Sequence, residues 1–404
     1  MAGTALSRGP ARSAGARLLF LVTEDWYFCL HWIGLARAAR DAGFEVVVAT
    51  RIVAHGEQIR VEGFGLLPLR ALRRGLPGPR DLGALIELVR LYRREAPAIV
   101  HHLAMKPILY GSWAARIAGV PAVVNSFAGL GYLFTGGGLA VRILRWLARL
   151  TLRRALALSS SSKTIFNNGD DFRQFEQLGI VGKERAVVIR GVGIDTSRFC
   201  PRPEPDGVPI VLLASRMLWD KGVAEFVGAA RLLAKRGVEA RCVLAGRGDP
   251  ANPASIPDEQ LETWKREGVV EWWGHQTDMP GALASAHVVV LPSYREGLPT
   301  VLLEAAASGR AIVGTDVPGC REIVRDGVNG YLVPPRHEAA LADAIETLLR
   351  DPEKCVRMGR QGRRIVVDEF SIDRVAQQTL AVYRALLDSH PEPLLAPSQR
   401  ADVR

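Results

Sequence analysis

The sequence predicts an α/β protein with two doubly wound, Rossmann-like domains and a cleft between them. The chain has 404 residues, which is longer than a single hydrophobic core usually supports. Short apolar runs rich in β-branched residues alternate with helical patterns along its length. The proline-rich segment 199–209, which has no apolar periodicity, separates two such series. Each series therefore predicts a parallel sheet covered by helices on both faces.

Ten apolar runs are predicted to be strands, five in each domain. Those of the first domain are residues 18–23, 45–50, 98–103, 122–127 and 186–191. Those of the second are residues 209–215, 241–246, 269–274, 288–293 and 311–316. Their apolar residues are nearly continuous, which is typical of strands buried on both sides. Because doubly wound sheets bind ligands at the carboxyl ends of their strands, the residues after each run are the candidates for chemistry.

The same pattern sets the expected boundaries. They are a disordered lead-in (1–16), a first domain (17–198), a linker (199–209), a second domain (210–370), a helix packing back toward the first domain (371–390) and a disordered tail (391–404). The apolar run after the lead-in is too short for a secretory signal, and no stretch reaches the roughly 20 apolar residues of a membrane span. Five scattered cysteines without metal-ligand spacing fit a reducing compartment, so we expect a cytoplasmic protein.

Positive charge is concentrated in the first half of the chain. Residues 1–200 carry 27 Lys and Arg against 14 Asp and Glu, whereas residues 201–404 carry 25 against 28. No acidic residue lies between Glu95 and Asp170. This imbalance predicts an anionic partner for the first half only.

Part of that acid-free stretch has the pattern of a basic amphipathic helix. Along residues 139–154, one side carries Arg142, Arg145, Arg149 and Arg153, opposite apolar residues. Such a helix can lie on an anionic membrane surface. The alternative is a helix that packs on the core and exposes a solvated basic face.

Candidate anion-binding residues follow two strands of the second domain. Arg216 and Lys221 lie between the strand 209–215 and a helix expected to begin near Gly222. Cations there are well placed for phosphate oxygens, although two solvated surface cations would give the same pattern. Gly246 and Gly248 allow close backbone approach after the next strand, but a Gly-x-Gly is also common in a tight turn.

Two glutamates mark the next strand-to-helix connection. Glu296 lies in the loop before Pro299, and Glu304 lies inside the following helix among apolar residues. Glu296 could simply favour the helix dipole, and Glu304 could be an exposed helical acid. The apolar neighbours of Glu304 argue instead for a buried carboxylate that needs a partner.

These segments together resemble a known family. "SRMLWDKG", "AGRGDP", "EGLPTVLLE" followed by "AAASG", and "GTDVPGCREIVRDGVNGYLVPP" occur in this order over residues 209–335. They resemble the C-terminal domain of family 4 of the retaining glycosyltransferases, which have the GT-B fold. The resemblance implies that Arg216 and Lys221 hold the donor diphosphate and Glu304 the ribose diol. It also implies that Glu296 contacts sugar hydroxyls and that backbone amides of Gly297 and Leu298 lie near the sugar and phosphate.

The chemistry expected of this set is sugar transfer, with Glu296, Arg216 and Lys221 as the catalytic residues. A departing diphosphate needs stabilisation more than a strong base. The chain has no Asp-x-Asp motif to hold a divalent ion, so we expect no metal and no cofactor, with the nucleotide sugar as a substrate.

The first half resembles bacterial surface-polysaccharide members of the same family, which implies an acceptor on a polyprenyl diphosphate. Trp26 stands in what is a glycine-rich loop in many relatives, and Phe127 and Ala128 stand where many have a catalytic-cleft His. His31, His102 and Lys106 are the acceptor-side candidates, with His101 beside them. A histidine near a strand end can equally be a hydrogen-bonded structural residue.

The expected function is transfer of a hexose or N-acetylhexosamine from a UDP-sugar to a lipid-linked saccharide. The expected location is the inner face of the cytoplasmic membrane, with no nucleic-acid partner. A sugar-nucleotide epimerase of the same fold and a non-catalytic sugar-nucleotide-binding scaffold remain alternatives.

Overall fold

The computed structural model describes residues 15–73, 81–127, 139–159, 161–250 and 252–389. The chain divides into two units, one made of Met1–Val192 with Val375–Arg404 and the other of Gly193–Arg374. The division lies before Gly193, not after residue 198 as predicted. The reason is that Ile194 bridges to Ser371 and is buried in a core of the second unit.

The first unit contains a parallel sheet, which confirms the five strands predicted there. Over its described residues the strands are Arg17–Glu24 (β1), Glu45–Arg51 (β2), Gly65–Pro68 (β3), Ile99–Leu103 (β4), Ala122–Phe127 (β5), Ser162–Phe166 (β6) and Ala186–Val188 (β7). Their order is β3-β2-β1-β4-β5-β6-β7, with every pairing parallel. The strands β3 and β6 were not predicted.

The second unit contains a second parallel sheet, which confirms its five predicted strands. Within the described chain the strands are Ile210–Ala214 (β8), Arg241–Ala245 (β9), Glu271–Gly274 (β10), Val288–Leu291 (β11), Ala311–Thr315 (β12) and Gly330–Val333 (β13). Their order, β10-β9-β8-β11-β12-β13, is that of a doubly wound sheet whose strand order reverses between β8 and β11. The strand β13 was not predicted.

Helices connect the strands of both sheets. In the described residues they are Asp25–His31 (α1), Ile33–Asp41 (α2), Gly56–Val61 (α3), Leu82–Glu95 (α4), Met105–Ala118 (α5), Leu139–Ala157 (α6), Gly169–Gln177 (α7), Val223–Lys235 (α8), Asp258–Arg266 (α9), Met279–Ala284 (α10), Thr300–Ala307 (α11), Pro318–Ile323 (α12), Glu338–Leu349 (α13), Pro352–Glu369 (α14) and Ile372–Asp388 (α15). None of these described helices combines the length and apolarity needed to cross a bilayer.

Alternating residues of the central strands feed separate cores on the two faces of each sheet. In β1, Leu18 and Phe20 join one cluster, whereas Leu19 lies in the other. This burial of both faces explains why the apolar runs in the sequence are continuous.

Helix α15 completes a core of the first unit. Its buried side chains, among them Leu380 and Tyr383, lie in the same cluster as Phe20 of β1. The hydroxyl of Tyr383 is 2.6 Å from Nδ1 of His101, which is fully buried on β4. Helix α15 is therefore part of the first unit's interior.

Candidate active site

The candidate site lies at the carboxyl ends of β8 and β11, where the strand order of the second sheet reverses. Parallel neighbours end at the same edge, so the loops after β8 and β11 meet there. Doubly wound sheets bind ligands at such a switch point. Arg216 and Lys221 come from the first loop and Glu296 from the second.

The loop after β8 is pressed tightly against the end of β11. Gly222 has φ of 71°, and a Cβ atom added there would lie 2.1 Å from the carbonyl oxygen of Pro292. Only glycine fits both constraints. Residues Trp219–Lys221 form a short 3₁₀ turn just before it, which brings Lys221 to the start of α8.

Lys221 and Glu296 form an ion pair. The Lys221 ammonium donates to Glu296 Oε1 at 2.5 Å, and the side chains are only 19% and 11% exposed. The backbone of Glu296 is fixed as well, because its carbonyl accepts from the amide of Gly319 at 3.2 Å. Two predicted ligand-binding groups thus meet, and in the free protein each neutralises the charge of the other.

Arg216 lies at the same edge but is more open. Its side chain is 51% exposed, and its Nη1 lies 3.0 Å from Oδ2 of Asp249 in the loop after β9. Sequence reasoning did not single out Asp249, although an acid directly after a Gly-x-Gly strand end was a usable signal. An exposed pair of this kind contributes little stability, so Arg216 can exchange partners readily.

Both glycines after β9 lie in close contact with neighbouring segments, and packing requires a glycine at Gly246. Gly246 has φ of 145°, and a Cβ atom there would lie 1.8 Å from the carbonyl oxygen of Ser215. A Cβ atom at Gly248 would lie 2.7 Å from Ser255 Oγ. The structure therefore gives both glycines a role in seating the β9 loop against its neighbours.

Glu304 occupies the middle of α11. Adjacent residues Leu303 and Ala305 are fully buried, whereas Glu304 itself is partly exposed. Among the described residues its carboxylate has neither a hydrogen-bond partner nor an ion-pair partner. Burial raises the pKa of Glu304 to about 7, and the charge of Arg198 opposes that rise. A carboxylate kept without an internal partner is typical of a ligand-binding group.

The segment between the two glutamates packs closely at its base. A Cβ atom added to Gly319 would lie 2.6 Å from the carbonyl oxygen of Gly297. Leu298 is partly buried against a core of the second unit. Pro299 is the N-cap residue of α11. These contacts place Gly297 and Leu298 directly before a helix N-terminus, as their predicted role requires.

The structure also identifies Tyr294, which sequence reasoning missed. Its hydroxyl donates to Oε1 of Glu225 at 2.6 Å, and the guanidinium of Arg336 lies 4.4 Å from its ring centroid. Burial, together with the hydrogen bond to Glu225, raises the pKa of Tyr294 to about 12. In the sequence, the feature that could have pointed to Tyr294 is its position as an aromatic residue two positions before Glu296.

Two acceptor-side candidates are interior residues of the first unit. His102 is fully buried, with its ring nitrogens 3.1 Å from the Tyr92 hydroxyl and 2.8 Å from Asn125 Oδ1. Lys106 is buried in an ion pair with Asp81 at 3.0 Å. These partners satisfy both side chains, which gives His102 and Lys106 a structural role inside the first unit, and their contact with an acceptor stays a prediction.

His31 is the acceptor-side candidate that stays partly exposed. It ends α1, and its ring packs on Tyr27 with the centroids 4.8 Å apart. Burial lowers the pKa of His31 to about 4, so the ring is neutral at pH 7. His101, which directly precedes His102 in the sequence, is buried and lies within hydrogen-bonding distance of the Tyr383 and Ser126 hydroxyls.

The predicted basic helix is present as α6. Arg149 and Arg153 are exposed, and Leu152 and Leu156 are buried in a core of the first unit. Arg142 and Arg145 belong to the helix, but their side chains lie outside the described residues, and so does the whole of Ala128. The described part is compatible with both interpretations of this helix.

Sequence comparisons identify relatives of both halves. The family described as "Glycosyl transferases group 1" matches residues 208–351, and the family described as "Glycosyl transferase 4-like" matches residues 17–162. N,N'-diacetylbacillosaminyl-diphospho-undecaprenol alpha-1,3-N-acetylgalactosaminyltransferase of Campylobacter jejuni is 27% identical over 363 residues, which are 86% of this chain and 93% of the relative. Alpha-maltose-1-phosphate synthase of Mycolicibacterium smegmatis is 32% identical over 318 residues, 72% of this chain and 79% of that protein.

Solved structures share the fold. The HepE protein of Anabaena in complex with UDP has a TM-score of 0.73 at 20% identity, covering 91% of this chain and 100% of that one. Sucrose-phosphate synthase from Thermosynechococcus elongatus has a TM-score of 0.74 at 19% identity, covering 93% and 100%. The two family matches cover most of both sheets, and the first of them includes the motifs at the switch point. The relative of 32% identity spans 72% of this chain. The chain therefore belongs to the family 4 glycosyltransferases, which have the GT-B architecture.

Proposed function

We propose that this glycosyltransferase moves a hexose or N-acetylhexosamine from a UDP-sugar to a polyprenyl-diphosphate-linked saccharide, with retention of anomeric configuration. The pathway is the assembly of a bacterial surface polysaccharide. The observation that carries the proposal is the contact between Lys221 and Glu296 at the switch point, with Glu304 unpaired in the described chain on the helix that follows.

The donor site works by exchange of partners. A diphosphate at the start of α8 attracts the Lys221 ammonium, with the exposed guanidinium of Arg216 as a second cation. Once Lys221 turns to the phosphate, the Glu296 carboxylate is free to accept hydrogen bonds from the sugar. Glu304 accepts hydrogen bonds from the ribose diol. Positive charge at the diphosphate stabilises the leaving group as its bond to the sugar breaks.

Metal independence is part of the proposal. Its support is the absence of an Asp-x-Asp motif from the sequence and the presence of two cations that can take the role of a divalent ion. The choice of uridine as the base is supported by the HepE structure, which holds UDP.

The acceptor proposal rests on relatives and charge. The name of the Campylobacter jejuni relative states a diphospho-undecaprenol acceptor. The acid-free stretch between Glu95 and Asp170, and the exposed Arg149 and Arg153 on α6, fit an anionic membrane surface. We place the protein on the inner face of the cytoplasmic membrane and assign it no nucleic-acid partner.

Thermal-shift screening with UDP-, GDP- and ADP-sugars tests the donor, because a ligand that binds the native state raises the melting temperature. Transfer to extracted lipid-linked saccharides then tests the reaction. Lys221→Ala should abolish the shift given by the UDP-sugar. The matched control is Lys235→Ala, which replaces an exposed lysine at the end of α8.

Two other outcomes would indicate the alternative functions. Formation of a 2-epimerised sugar in the absence of an acceptor would indicate an epimerase. Binding without turnover would indicate a scaffold.

A further inference from the structure

We propose that Tyr294 is a positioning residue that holds the loop carrying Glu296 against the loop carrying Lys221. This inference rests on the proposed function, in which Lys221 and Glu296 bind the donor. Its partners are Glu225 and Arg336, and all of these residues belong to the second unit.

Tyr294 bonds the loop after β8 through both its main chain and its side chain. Its amide donates to the carbonyl oxygen of Asp220 at 2.9 Å, and its hydroxyl donates to Glu225 Oε1 at 2.6 Å. Asp220 directly precedes Lys221, and Glu225 lies in the first turn of α8. The two bonds therefore flank Lys221 on both sides along the chain. A hydrogen bond to a carboxylate is stronger than one between neutral groups.

A second contact holds the ring of Tyr294 from the side of β13. The Arg336 guanidinium lies 4.4 Å from the ring centroid, a cation–π distance. Arg336 has φ of 61°, which is uncommon for a residue with a Cβ atom and indicates that its surroundings fix the backbone. In the described parts of the chain Arg336 has no ion-pair partner. The ring is therefore held at its hydroxyl and at its face.

The ion pair between Lys221 and Glu296 explains why a second link between the two loops is needed. In the free protein, Lys221 and Glu296 also join the two loops. When Lys221 turns to a donor diphosphate, that link is lost at the moment when Glu296 must be placed against the sugar. The hydrogen bonds of Tyr294 involve neither the Lys221 ammonium nor the Glu296 carboxylate, so they persist in the donor-bound state. Loss of the Tyr294 hydroxyl should therefore affect turnover more than nucleotide affinity.

The test compares two tyrosine variants that lose the same atom. Tyr294→Phe removes the hydroxyl that reaches Glu225. Tyr331→Phe is the matched control, because Tyr331 is also partly buried, has the Lys354 ammonium 5.2 Å from its ring centroid, and makes no hydrogen bond through its hydroxyl among the described residues. The measurements are hydrogen exchange of residues 293–299, kcat with a UDP-sugar, the dissociation constant of UDP, and the melting temperature.

We expect Tyr294→Phe to raise the hydrogen-exchange rate of residues 293–299 by about tenfold and to lower kcat by about tenfold. The dissociation constant of UDP should change by less than about threefold. Glu225→Gln keeps an acceptor oxygen but loses the charge that strengthens the bond, so its defect should lie between those of the wild type and Glu225→Ala. Glu225→Ala should reproduce Tyr294→Phe. Tyr331→Phe should match the wild type in all four measurements.

Equal exchange and equal kcat in Tyr294→Phe and Tyr331→Phe would overturn the positioning role. A defect in Glu225→Gln as large as that in Glu225→Ala would do the same, because the lost feature would then be charge and not the bond from Tyr294. If the wild type transfers no sugar but Tyr294→Phe alone loosens residues 293–299, the proposed function fails and the positioning role stands.

Discussion

Replacing Glu304 with Gln should stabilise the free protein at pH 8 while weakening its affinity for the donor. Burial raises the pKa of Glu304 from 4.5 to about 7. A group whose pKa is higher in the folded protein contributes stability below its unfolded pKa and loses that contribution as the pH rises through its folded pKa. This rise in pKa corresponds to at most about 3 kcal/mol of unfolding free energy lost by pH 8. Gln carries no charge and avoids that loss.

Urea denaturation at pH 8 and pH 5 measures the effect. At pH 8 we expect Glu304→Gln to exceed the wild type by about 1–3 kcal/mol, and at pH 5 by less than about 1 kcal/mol. Glu239→Gln, at an exposed loop position, is the control and should change little at either pH. A variant less stable than the wild type at pH 8 would mean that the Glu304 carboxylate makes stabilising contacts in the free protein, which would refute the reasoning.

Three further predictions concern metal, membrane and pH. Excess chelator should leave sugar transfer nearly unchanged, and a loss restored by magnesium or manganese would contradict metal independence. Replacing Arg142, Arg145 and Arg149 with Gln should release the protein from anionic vesicles, since each basic residue near such a surface contributes about 1 kcal/mol; unchanged sedimentation would leave α6 as a core element only. Burial lowers the pKa of His101 to about 3 and that of His102 to about 4. Stability should therefore fall as the pH drops below 6.5, by about 2 kcal/mol for each ring at pH 5, and NMR signals of either ring that titrate above pH 5 would contradict this.

The sequence was sufficient to predict ten of the strands because these are buried on both faces and read as continuous apolar runs. The strands that it missed are short or interrupted. Gly65–Pro68 and Gly330–Val333 lie at the outer edges of their sheets, where little apolar sequence is needed. Gly330 is required because a Cβ atom there would lie 2.1 Å from the Ile312 carbonyl oxygen, yet a glycine normally suggests a break in a strand. Ser162–Phe166 begins with three polar or charged residues.

The site was predictable as far as topology and motif spacing determine it. Strand ends at a switch point brought Lys221 and Glu296 to one edge, as expected. Their direct contact could not be predicted, because it depends on side-chain reach across two loops. The burial of Lys106 could not be predicted either, since its partner Asp81 lies on a different segment of the chain. Partners distant in sequence determine whether a charged residue is structural or exposed.

Calorimetric titration of UDP into the wild type, Glu304→Gln and Glu296→Gln tests the central claim most directly, which is that the two glutamates bind different parts of one donor. Loss of the ribose contacts in Glu304→Gln should weaken UDP binding by about 10- to 150-fold. Glu296→Gln should bind UDP no more weakly than the wild type, because its change frees Lys221 for the diphosphate, while its turnover of UDP-sugar falls. Lost UDP affinity in Glu296→Gln together with wild-type affinity in Glu304→Gln would contradict the account.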